Sequence, residues 1–168
     1  FWAYNTVVHH SPICVLAYQA KDFALFHNTI IAIPDRAYTV KAGVVFRVPW
    51  SDYGSPTWRN NNIVSYGGTC MDLDQATYEN LDSDYNNLYF PSGSIARING
   101  ARAVVEDRRG YAAKLAAWRE LTGLEENSVS TDPKFIQRVP HSNDFTGIWI
   151  DLSLLDSSPI VERGEDTQ

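Results

Sequence analysis

The sequence predicts an all-β fold, a right-handed parallel β-helix of about four coils that is closed by a C-terminal helix and extended segments. Two observations predict it: short strand-forming segments recur along residues 1–100, and a helical pattern follows them. The first recurring type opens on asparagine and continues with apolar or β-branched residues: Asn5-Thr6-Val7-Val8, Asn28-Thr29-Ile30-Ile31, Asn61-Asn62-Ile63-Val64 and Asn86-Asn87-Leu88-Tyr89. Self-similarity of this kind indicates a repeat architecture, in which each repeat contacts its neighbours.

A second type of segment lies between the copies of the first, so that the two series interleave. Its copies are Ile13-Cys14-Val15-Leu16, Val44-Val45-Phe46-Arg47, Thr69-Cys70-Met71-Asp72 and Ser94-Ile95-Ala96-Arg97. The steps are 23, 33 and 25 residues in the first series and 31, 25 and 25 in the second. A period near 25 is too short for a propeller blade and has no helix for a β-α-β unit, whereas it fits one coil of a β-solenoid. The long steps indicate an insertion around residues 33–38 that leaves the stack as a loop.

The asparagine that opens each segment of the first type has a physical reason to be there. At a bend between strands, asparagine tolerates left-handed backbone angles and its amide can bond to neighbouring backbone groups. Stacked coil upon coil, Asn5, Asn28, Asn61 and Asn86 are expected to form a ladder of side-chain hydrogen bonds along the axis. The alternative is a set of independent surface turns, but the paired apolar positions after each asparagine favour the ladder.

The rest of the chain predicts a cap, so that the sequence divides into coils over residues 1–100 and a cap over 101–168. The segment from Tyr111 to Thr122 has apolar residues at helical spacing with alanines between them, which predicts a helix over about 111–123. Its apolar stripe is expected to cover an end or a flank of the solenoid, because a bare last coil is an unpaired sheet edge. Extended pieces along the last coil are expected at Val129, Phe135, Phe145 and Ile148-Trp149-Ile150.

Composition and charge exclude several classes of protein. The 168 residues are 44% hydrophobic and 20% charged, as in ordinary globular domains. A net charge of −6 argues against a nucleic-acid partner, and no apolar run reaches the roughly 18 residues that cross a membrane. No signal peptide is visible. The chain begins with Phe1 and its single methionine is Met71, so we expect a processed product, a fragment or an incomplete sequence.

Several of these segments resemble one known family. The coils Asn28-Thr29-Ile30-Ile31, Asn61-Asn62-Ile63-Val64 and Asp84-Tyr85-Asn86-Asn87-Leu88-Tyr89 are similar to those of right-handed parallel β-helix repeat proteins, the pectate-lyase-like superfamily. The terminal segments of such proteins resemble Leu115-Ala116-Ala117-Trp118-Arg119-Glu120-Leu121-Thr122-Gly123, Thr131-Asp132-Pro133-Lys134-Phe135, Asp144-Phe145 and Ser158-Pro159-Ile160. The resemblance covers nearly the whole chain. It implies the C-terminal portion of a longer β-helix, a polysaccharide as the partner, and an extracellular or periplasmic location.

One column of charged residues is a candidate site. A 25-residue step aligns Arg47, Asp72 and Arg97 on the outward face, because strand side chains alternate between faces. Arginine forks bind carboxylate or sulfate groups, so the column is a candidate binding strip for an acidic polysaccharide. The alternative is a solvated ladder of alternating charges that fixes the register of the coils and is worth at most about 1 kcal/mol per exposed pair.

The loop that follows Arg47 completes this candidate site. Trp50, Asp52 and Tyr53 combine aromatic faces with a carboxylate, and aromatic faces on a loop beside a charged strip suit the stacking of sugars. Alternatively, Trp50 and Trp58 pack onto the coil as anchors of the loop. The catalytic residues of an enzyme cannot be assigned from these positions.

No cofactor is expected, and the cysteines are expected to be unbonded. The segments Asp72-Leu73-Asp74 and Asp82-Ser83-Asp84 offer oxygens to Ca²⁺, but neither has the glycine and ligand spacing of a calcium loop. Cys14 and Cys70 share a column with Val45, so a whole coil lies between them. Two strand steps put their Cα atoms about 10 Å apart, beyond the roughly 7 Å limit for a disulfide.

Three hypotheses about function remain open. The chain is the C-terminal part of a lyase or glycoside hydrolase acting on an acidic polysaccharide, a non-catalytic glycan-binding solenoid, or a structural fragment that completes a partner chain's β-helix. Fold alone does not choose among them. The chain enters its first strand without a cap, so residues 1–32 are expected to pack against another polypeptide or preceding coils, with Phe1 and Trp2 buried in that contact.

Overall fold

The computed structural model describes residues 2–3, 5–9, 13–18, 22–33, 42–47, 54–66, 68–91, 94–99, 101–102, 110–135 and 153–160. Phe145 and residues 148–150, for which the sequence predicts extended structure, lie outside these ranges. The strands are, in chain order, β1 (Trp2–Ala3), β2 (Thr6–His9), β3 (Ile13–Tyr18), β4 (Ala24–Phe26), β5 (Thr29–Ala32), β6 (Ala42–Arg47), β7 (Thr57–Arg59), β8 (Asn62–Ser65), β9 (Thr69–Leu73), β10 (Asp82–Asp84), β11 (Asn87–Tyr89), β12 (Ser94–Ile98) and β13 (Ala101–Arg102). The helices are α1 (Gln75–Asn80) and α2 (Gly110–Thr122).

Among the described residues the strands form three sheets, and from β1 to β12 each sheet takes every third strand. The strand orders are β1-β4-β7-β10 in sheet A, β2-β5-β8-β11 in sheet B and β3-β6-β9-β12-β13 in sheet C. Neighbouring strands pair in parallel except β12 and β13, which are antiparallel. Three successive strands therefore make one repeat, and repeats stack through their equivalent strands. The fold is mostly β, with a solenoid-like stacking of parallel strands. The sequence predicted two strand types; the strands of sheet A are a third.

One apolar core is shared by the three sheets. Leu25 and Trp58 enter it from sheet A, Ile63 from sheet B, and Met71 and Leu73 from sheet C, each at most 1% exposed. Leu25 and Trp58 alternate with half-buried neighbours because successive strand side chains point to opposite faces, whereas all five residues of β9 are buried. Complete burial of one such side chain stabilises the fold by about 1.5–3 kcal/mol, so the shared core is the main source of cohesion between repeats.

Helix α2 packs on this core through the stripe that its sequence predicts. Leu115 and Trp118 are buried in the same cluster as the strand residues. Leu121 is exposed, whereas Thr122 is half-buried, so the stripe continues through Thr122. Gly123 ends the helix with a φ of +70°, a conformation that glycine adopts without strain, and its N–H donates to a carbonyl of the last turn.

The predicted asparagine ladder is present. Asn5 Nδ2 donates to Asn28 Oδ1 at 3.1 Å. The steps from Asn28 to Asn61 and from Asn61 to Asn86 repeat this bond at 3.0 Å. In every step the backbone N–H of the donating asparagine bonds to the same oxygen. The ladder therefore has a direction, and each rung ties one repeat to the next.

The left-handed bend lies one residue before the ladder asparagine. His27, Asn60 and Tyr85 have φ angles of 53°, 59° and 56°. The sequence-based interpretation gave this role to the ladder asparagine itself. The structure divides the two roles: one residue turns the chain, and the asparagine after it bonds along the stack.

Sheet C confirms one half of the predicted charged column and corrects the other. Arg97 lies opposite Asp72 on neighbouring strands, as predicted. Val45, not Arg47, lies opposite Asp72 on the other side, so this step is two residues longer than the predicted 25. A shift of two residues keeps every side chain on its own face. The alternation of the sequence therefore cannot reveal it.

Both cysteines are free, as predicted. The corrected register puts Gly43, not Val45, between Cys14 and Cys70. Two strand steps still separate the cysteines, about 10 Å, which is too far for a disulfide.

We expect Cys70 to react with a chromogenic thiol reagent at least roughly 100-fold more slowly than Cys14 in the native protein. Cys70 is fully buried, whereas Cys14 is partly exposed. Burial, followed by the charge of Glu125, raises the pKa of the Cys70 thiol well above its ordinary value. The thiolate is the reactive form, so Cys70 must wait for local opening. Time courses of wild type, C14S and C70S assign the two phases, and denaturant should release two thiols per chain. Equal native rates would show that Cys70 is not buried.

A short helix, α1, follows β9, and the 25-residue period did not predict this helix. The carboxylate of Asp74 accepts the backbone N–H of Thr77 at 2.7 Å and caps the helix. Gln75 Nε2 donates to Glu79 one turn later at 2.9 Å. The backbone N–H of Gln75 also donates to Asn99 Oδ1 at 3.0 Å, so the helix is tied to the end of β12. Helix α1 thus fits within the period as an insertion between sheets C and A.

The C-terminal segment at Val129 lies along the last repeat, as predicted, whereas Phe135 packs on buried residues of the two preceding repeats. Val129 bridges in parallel to Asn87 of β11 and so adds a rung to sheet B. Phe135 packs on a second, smaller apolar cluster, whose buried members are Ile31, Ile33 and Val64.

Candidate functional site

Four of the residues that the sequence singled out cannot be placed as a site. Trp50, Asp52 and Tyr53 lie outside the described residues. Arg47 is the last residue of β6, but its side chain lies outside the described part as well. Their expected role in binding stays a prediction.

The other two predicted site residues, Asp72 and Arg97, are neighbours across β9 and β12. Asp72 is 5% exposed and Arg97 is half-buried. A carboxylate this buried offers little contact surface to a ligand. Trp58 is fully buried in β7, so it belongs to the core and not to a binding loop.

The asparagine ladder ends on a buried polar cap. After Asn86 the place of a further asparagine is taken by Glu125 and Ser128. Ser128 Oγ accepts the backbone N–H of Asn86 at 2.7 Å, and the Glu125 carboxylate accepts Asn86 Nδ2 at 3.1 Å. The hydroxyls of Ser83 and Ser128 donate to the same carboxylate. At this last rung, Ser128 and Glu125 together accept the two hydrogen bonds that a single asparagine Oδ1 accepts at each of the other rungs.

Burial raises the pKa of the Glu125 carboxyl, and the charge of Asp84 raises it further. Hydrogen bonds from Ser128, Ser83 and Asn86 oppose this shift, but burial is the larger effect. The titrating group is therefore part of the structural cap.

Helix α2 and the end of sheet A hold this cap in place. Arg119 Nε donates to the backbone oxygen of Glu125 at 2.5 Å, and the same guanidinium donates to the backbone oxygen of Ser128. The backbone N–H of Glu125 donates to the carbonyl of Ser83 at 2.9 Å. The backbone of the cap segment is therefore fixed on both sides.

A second stack of amides runs along the outer side of sheet B. Asn87 Oδ1 accepts the backbone N–H of Thr131 at 3.1 Å, and Asn87 Nδ2 donates to the Thr131 carbonyl at 3.1 Å and to Asn62 Oδ1 at 2.9 Å. The backbone of Thr131 thereby sets the orientation of both amides. Asn62 Nδ2 is left over, and within the described residues it has no hydrogen-bond partner.

Asn127 is held by a carboxylate. Asp84 accepts the backbone N–H of Asn127 at 2.7 Å and its Nδ2 at 2.8 Å. A carboxylate can only accept, so Asn127 turns Nδ2 toward it and Oδ1 away. In the part of the chain that the structure describes, Asn127 Oδ1 has no donor.

A charged pair lies next to these amides on sheet A. Arg59 Nη2 and Asp82 Oδ1 are 2.8 Å apart, with side chains 25% and 50% exposed. The Arg59 guanidinium also lies 6.0 Å from the centroid of the Tyr85 ring. Arg59 is thus held between a carboxylate and an aromatic face.

These groups border one cleft of about 80 Å³ at the bend between sheets A and B, which we call the amide cleft. It is lined by Asn60, Asn61, Asn62, Tyr85, Asn86, Asn87, Asn127, Val129 and Ile160. None of these side chains carries a charge. The cleft combines amide donors and acceptors with one aromatic ring and two aliphatic side chains.

The amide cleft was missed in the sequence, although part of its signal is there. The doublets Asn61-Asn62 and Asn86-Asn87 place one asparagine in the ladder and, by strand alternation, the next on the opposite face. Asn127 and Ile160 come from the C-terminal segment, and only the tertiary fold brings them to the cleft.

The acidic segments considered for Ca²⁺ have protein partners. Asp74 caps α1, and Asp82 pairs with Arg59. Within the described residues, no three His, Cys, Asp or Glu side chains come together as potential metal ligands. Nor do those residues include a helix long and apolar enough to cross a membrane.

No model of a known family, no curated protein and no solved structure significantly matches the chain. The resemblance to the pectate-lyase-like superfamily therefore rests on the repeat and cap segments of the sequence. The site is interpreted from its own geometry.

Proposed function

We propose that this chain is the C-terminal part of a right-handed parallel β-helix protein and that it binds a polysaccharide through the amide cleft. Three parallel sheets with a shared core support the fold, because one strand per sheet in every coil would produce this strand order. The asparagine ladder supports it as well, since it joins equivalent positions of successive repeats. The resemblance of the repeats and the cap to the superfamily supports a polysaccharide ligand.

The proposed binding site rests on one observation. An amide donor and an amide acceptor lie in a cleft that an aromatic ring also lines, and neither amide group has a partner among the described residues. The donor is Asn62 Nδ2, the acceptor is Asn127 Oδ1 and the ring belongs to Tyr85. Sugar hydroxyls both donate and accept, and the C–H faces of a sugar ring pack on aromatic and aliphatic groups. Val129 and Ile160 supply the aliphatic contact. Polar groups of fixed orientation beside aromatic and aliphatic side chains are typical of a ligand site.

Binding is better supported than catalysis by the groups near the cleft. Glycoside hydrolysis needs one carboxyl that donates a proton and one carboxylate that acts as base or nucleophile. Asp82 is paired with Arg59, and Asp84 accepts two hydrogen bonds from Asn127. A lyase that neutralises a uronate with Arg47 or Arg97 stays a proposal. An ultraviolet-absorbing unsaturated product from a uronate polymer would establish it.

The proposed partners follow from the strand orders. Within the described residues, β1, β2 and β3 each pair on one side. We propose that another polypeptide, or further coils, pairs along residues 1–32. An extracellular or periplasmic location is proposed on the resemblance alone.

Replacing Tyr85 by asparagine is expected to weaken polysaccharide binding by up to about tenfold, because an aromatic contact is worth roughly 0.5–1.5 kcal/mol. Asparagine tolerates the left-handed backbone of this position, so the change removes the ring and keeps the bend. Affinity electrophoresis through gels that contain glucan, galactan, mannan or polygalacturonate measures binding as retardation.

His27→Asn is the matched control, because His27 has the same backbone conformation at the equivalent bend and does not line the cleft. This variant should bind within about twofold of wild type. Equal loss in both variants, or none in Y85N, would remove the cleft from the proposal. Absence of retardation by every polymer would refute polysaccharide binding itself.

A further inference from the structure

The charges around the amide cleft do not suit an anionic ligand. The lining side chains are uncharged. Of the ionisable residues that contact them, Arg59 is paired with Asp82, and Glu125 is a buried acid bonded to Asn86, while Asp84 places its negative charge behind Asn127. Among the described residues, a carboxylate in this cleft would lose water near a cation that is already paired with Asp82, and it would lie near the like charge of Asp84.

The positions of the hydrogen-bond donor and the hydrogen-bond acceptor in the cleft also disfavour an anionic ligand. Asn62 offers an N–H because Asn87 and Thr131 fix its orientation, and Asn127 offers an oxygen because Asp84 fixes its orientation. A hydroxyl can satisfy either group, since it donates and accepts. A carboxylate only accepts, so it could use Asn62 but would be repelled by Asn127 Oδ1.

We infer that the amide cleft takes a neutral sugar unit of a polysaccharide and discriminates against a uronate. The inference rests on the proposed function and narrows its ligand class. This ligand class differs from the acidic polysaccharide that the sequence predicts for Arg47 and Arg97, two residues that belong to strands of sheet C.

A matched pair of polymers tests the inference. Polygalacturonate and the same polymer after reduction of its carboxyl groups to primary alcohols have the same backbone linkage and length, and they differ in charge. Titration of the whole chain with each polymer, followed by Tyr fluorescence or calorimetry, gives two affinities. The reduced, neutral polymer should bind at least about tenfold more tightly at low ionic strength.

Asp84→Asn is expected to reverse this preference. The Oδ1 of the new asparagine can still accept the backbone N–H of Asn127, but its Nδ2 requires an acceptor. The Asn127 side chain must therefore turn its Oδ1 toward residue 84, which places the Nδ2 of Asn127 in the cleft. The negative charge is lost and the cleft acceptor becomes a donor. Affinity for polygalacturonate should rise about tenfold or more, while that for the neutral polymer falls. Asp22→Asn changes the net charge equally and lies outside the cleft lining, so it should leave both affinities within about twofold.

The outcomes separate the two proposals. Tighter binding of the neutral polymer, with reversal in D84N and none in D22N, supports the inference. Binding of polygalacturonate by wild type as tightly as the neutral polymer overturns the inference and leaves polysaccharide binding standing. If D84N and D22N change the affinities alike, the discrimination reflects net charge and not this cleft, and the inference fails. Binding of neither polymer, nor of the wider panel, defeats the proposed function and the inference with it.

Discussion

Replacing Asn61 by alanine is expected to lower the free energy of unfolding by about 4 kcal/mol, since each buried polar group left without a partner costs roughly 1–3 kcal/mol. Asn61 is the central rung of the ladder and is 2% exposed. Its Oδ1 accepts both the backbone N–H and the Nδ2 of Asn28. Its Nδ2 donates to the carbonyl of Leu25 and to Asn86 Oδ1. Alanine cannot replace any of these bonds, and water cannot enter without opening the core.

Asn62→Ala is the matched control for this change. Asn62 is the next residue along the chain and the first of β8; it is half-buried, and its side chain makes one hydrogen bond, to Asn87. Its removal should cost about 1 kcal/mol or less. Urea titrations followed by circular dichroism measure both losses. A similar loss in the two variants would mean that the ladder contributes no more than an ordinary surface amide.

Replacing Glu125 by alanine is expected to cost about 3 kcal/mol at neutral pH, because several buried donors lose their acceptor together. The Ser83 and Ser128 hydroxyls and the Asn86 amide all bond to this carboxyl. Ser83 can turn to the carbonyl of Trp58, which it already approaches at 3.4 Å, so the loss is smaller than for Asn61. Thermal and urea unfolding of E125A against wild type measure it. A loss below about 1 kcal/mol would show that the cap is not needed to end the ladder.

Glu125→Gln should cost less, about 1 kcal/mol, and should change how stability depends on pH. Burial raises the pKa of the Glu125 carboxyl in the folded chain. Protons therefore bind more tightly in the folded state, and this group favours folding at pH below its ordinary pKa. That contribution is lost as pH rises through the raised pKa. The free energy of unfolding of wild type minus that of E125Q should fall over this interval and level off above it. A difference that rises with pH would reverse the sign assigned to Glu125.

Much of the fold could be predicted because it depends on local periodicity. The asparagine ladder follows from an asparagine that recurs before paired apolar residues, and the core follows from alternation along each strand. Helix α2 follows from the spacing of Leu115 and Trp118. In each case one repeat already contains the pattern, and stacking only multiplies it.

The candidate site could be predicted less well, because it depends on how separate segments meet. The charged column required the register between β6 and β9, which differs by two residues from the predicted one and leaves Val45 opposite Asp72. A shift of two residues leaves every side chain on the same face of the sheet, so the alternation of the sequence does not reveal it. Helix α1 was missed because its signal, Asp74 followed by a few helix-compatible residues, fits within the period.

The sequence by itself determined the repeat, the asparagine ladder, the inward faces of the strands and the helix that follows them. These features depend on patterns among residues that are close together in the chain. The tertiary structure alone decided how the ladder ends and where the amide cleft lies. Ser83 and Glu125 are 42 residues apart in the chain, and Asp84 and Asn127 are 43 apart. The sequence around each of these residues does not indicate its hydrogen-bond partner. They meet because the chain turns back after α2 and places its next segment on the last repeat, where an unfinished ladder leaves buried polar groups that require partners.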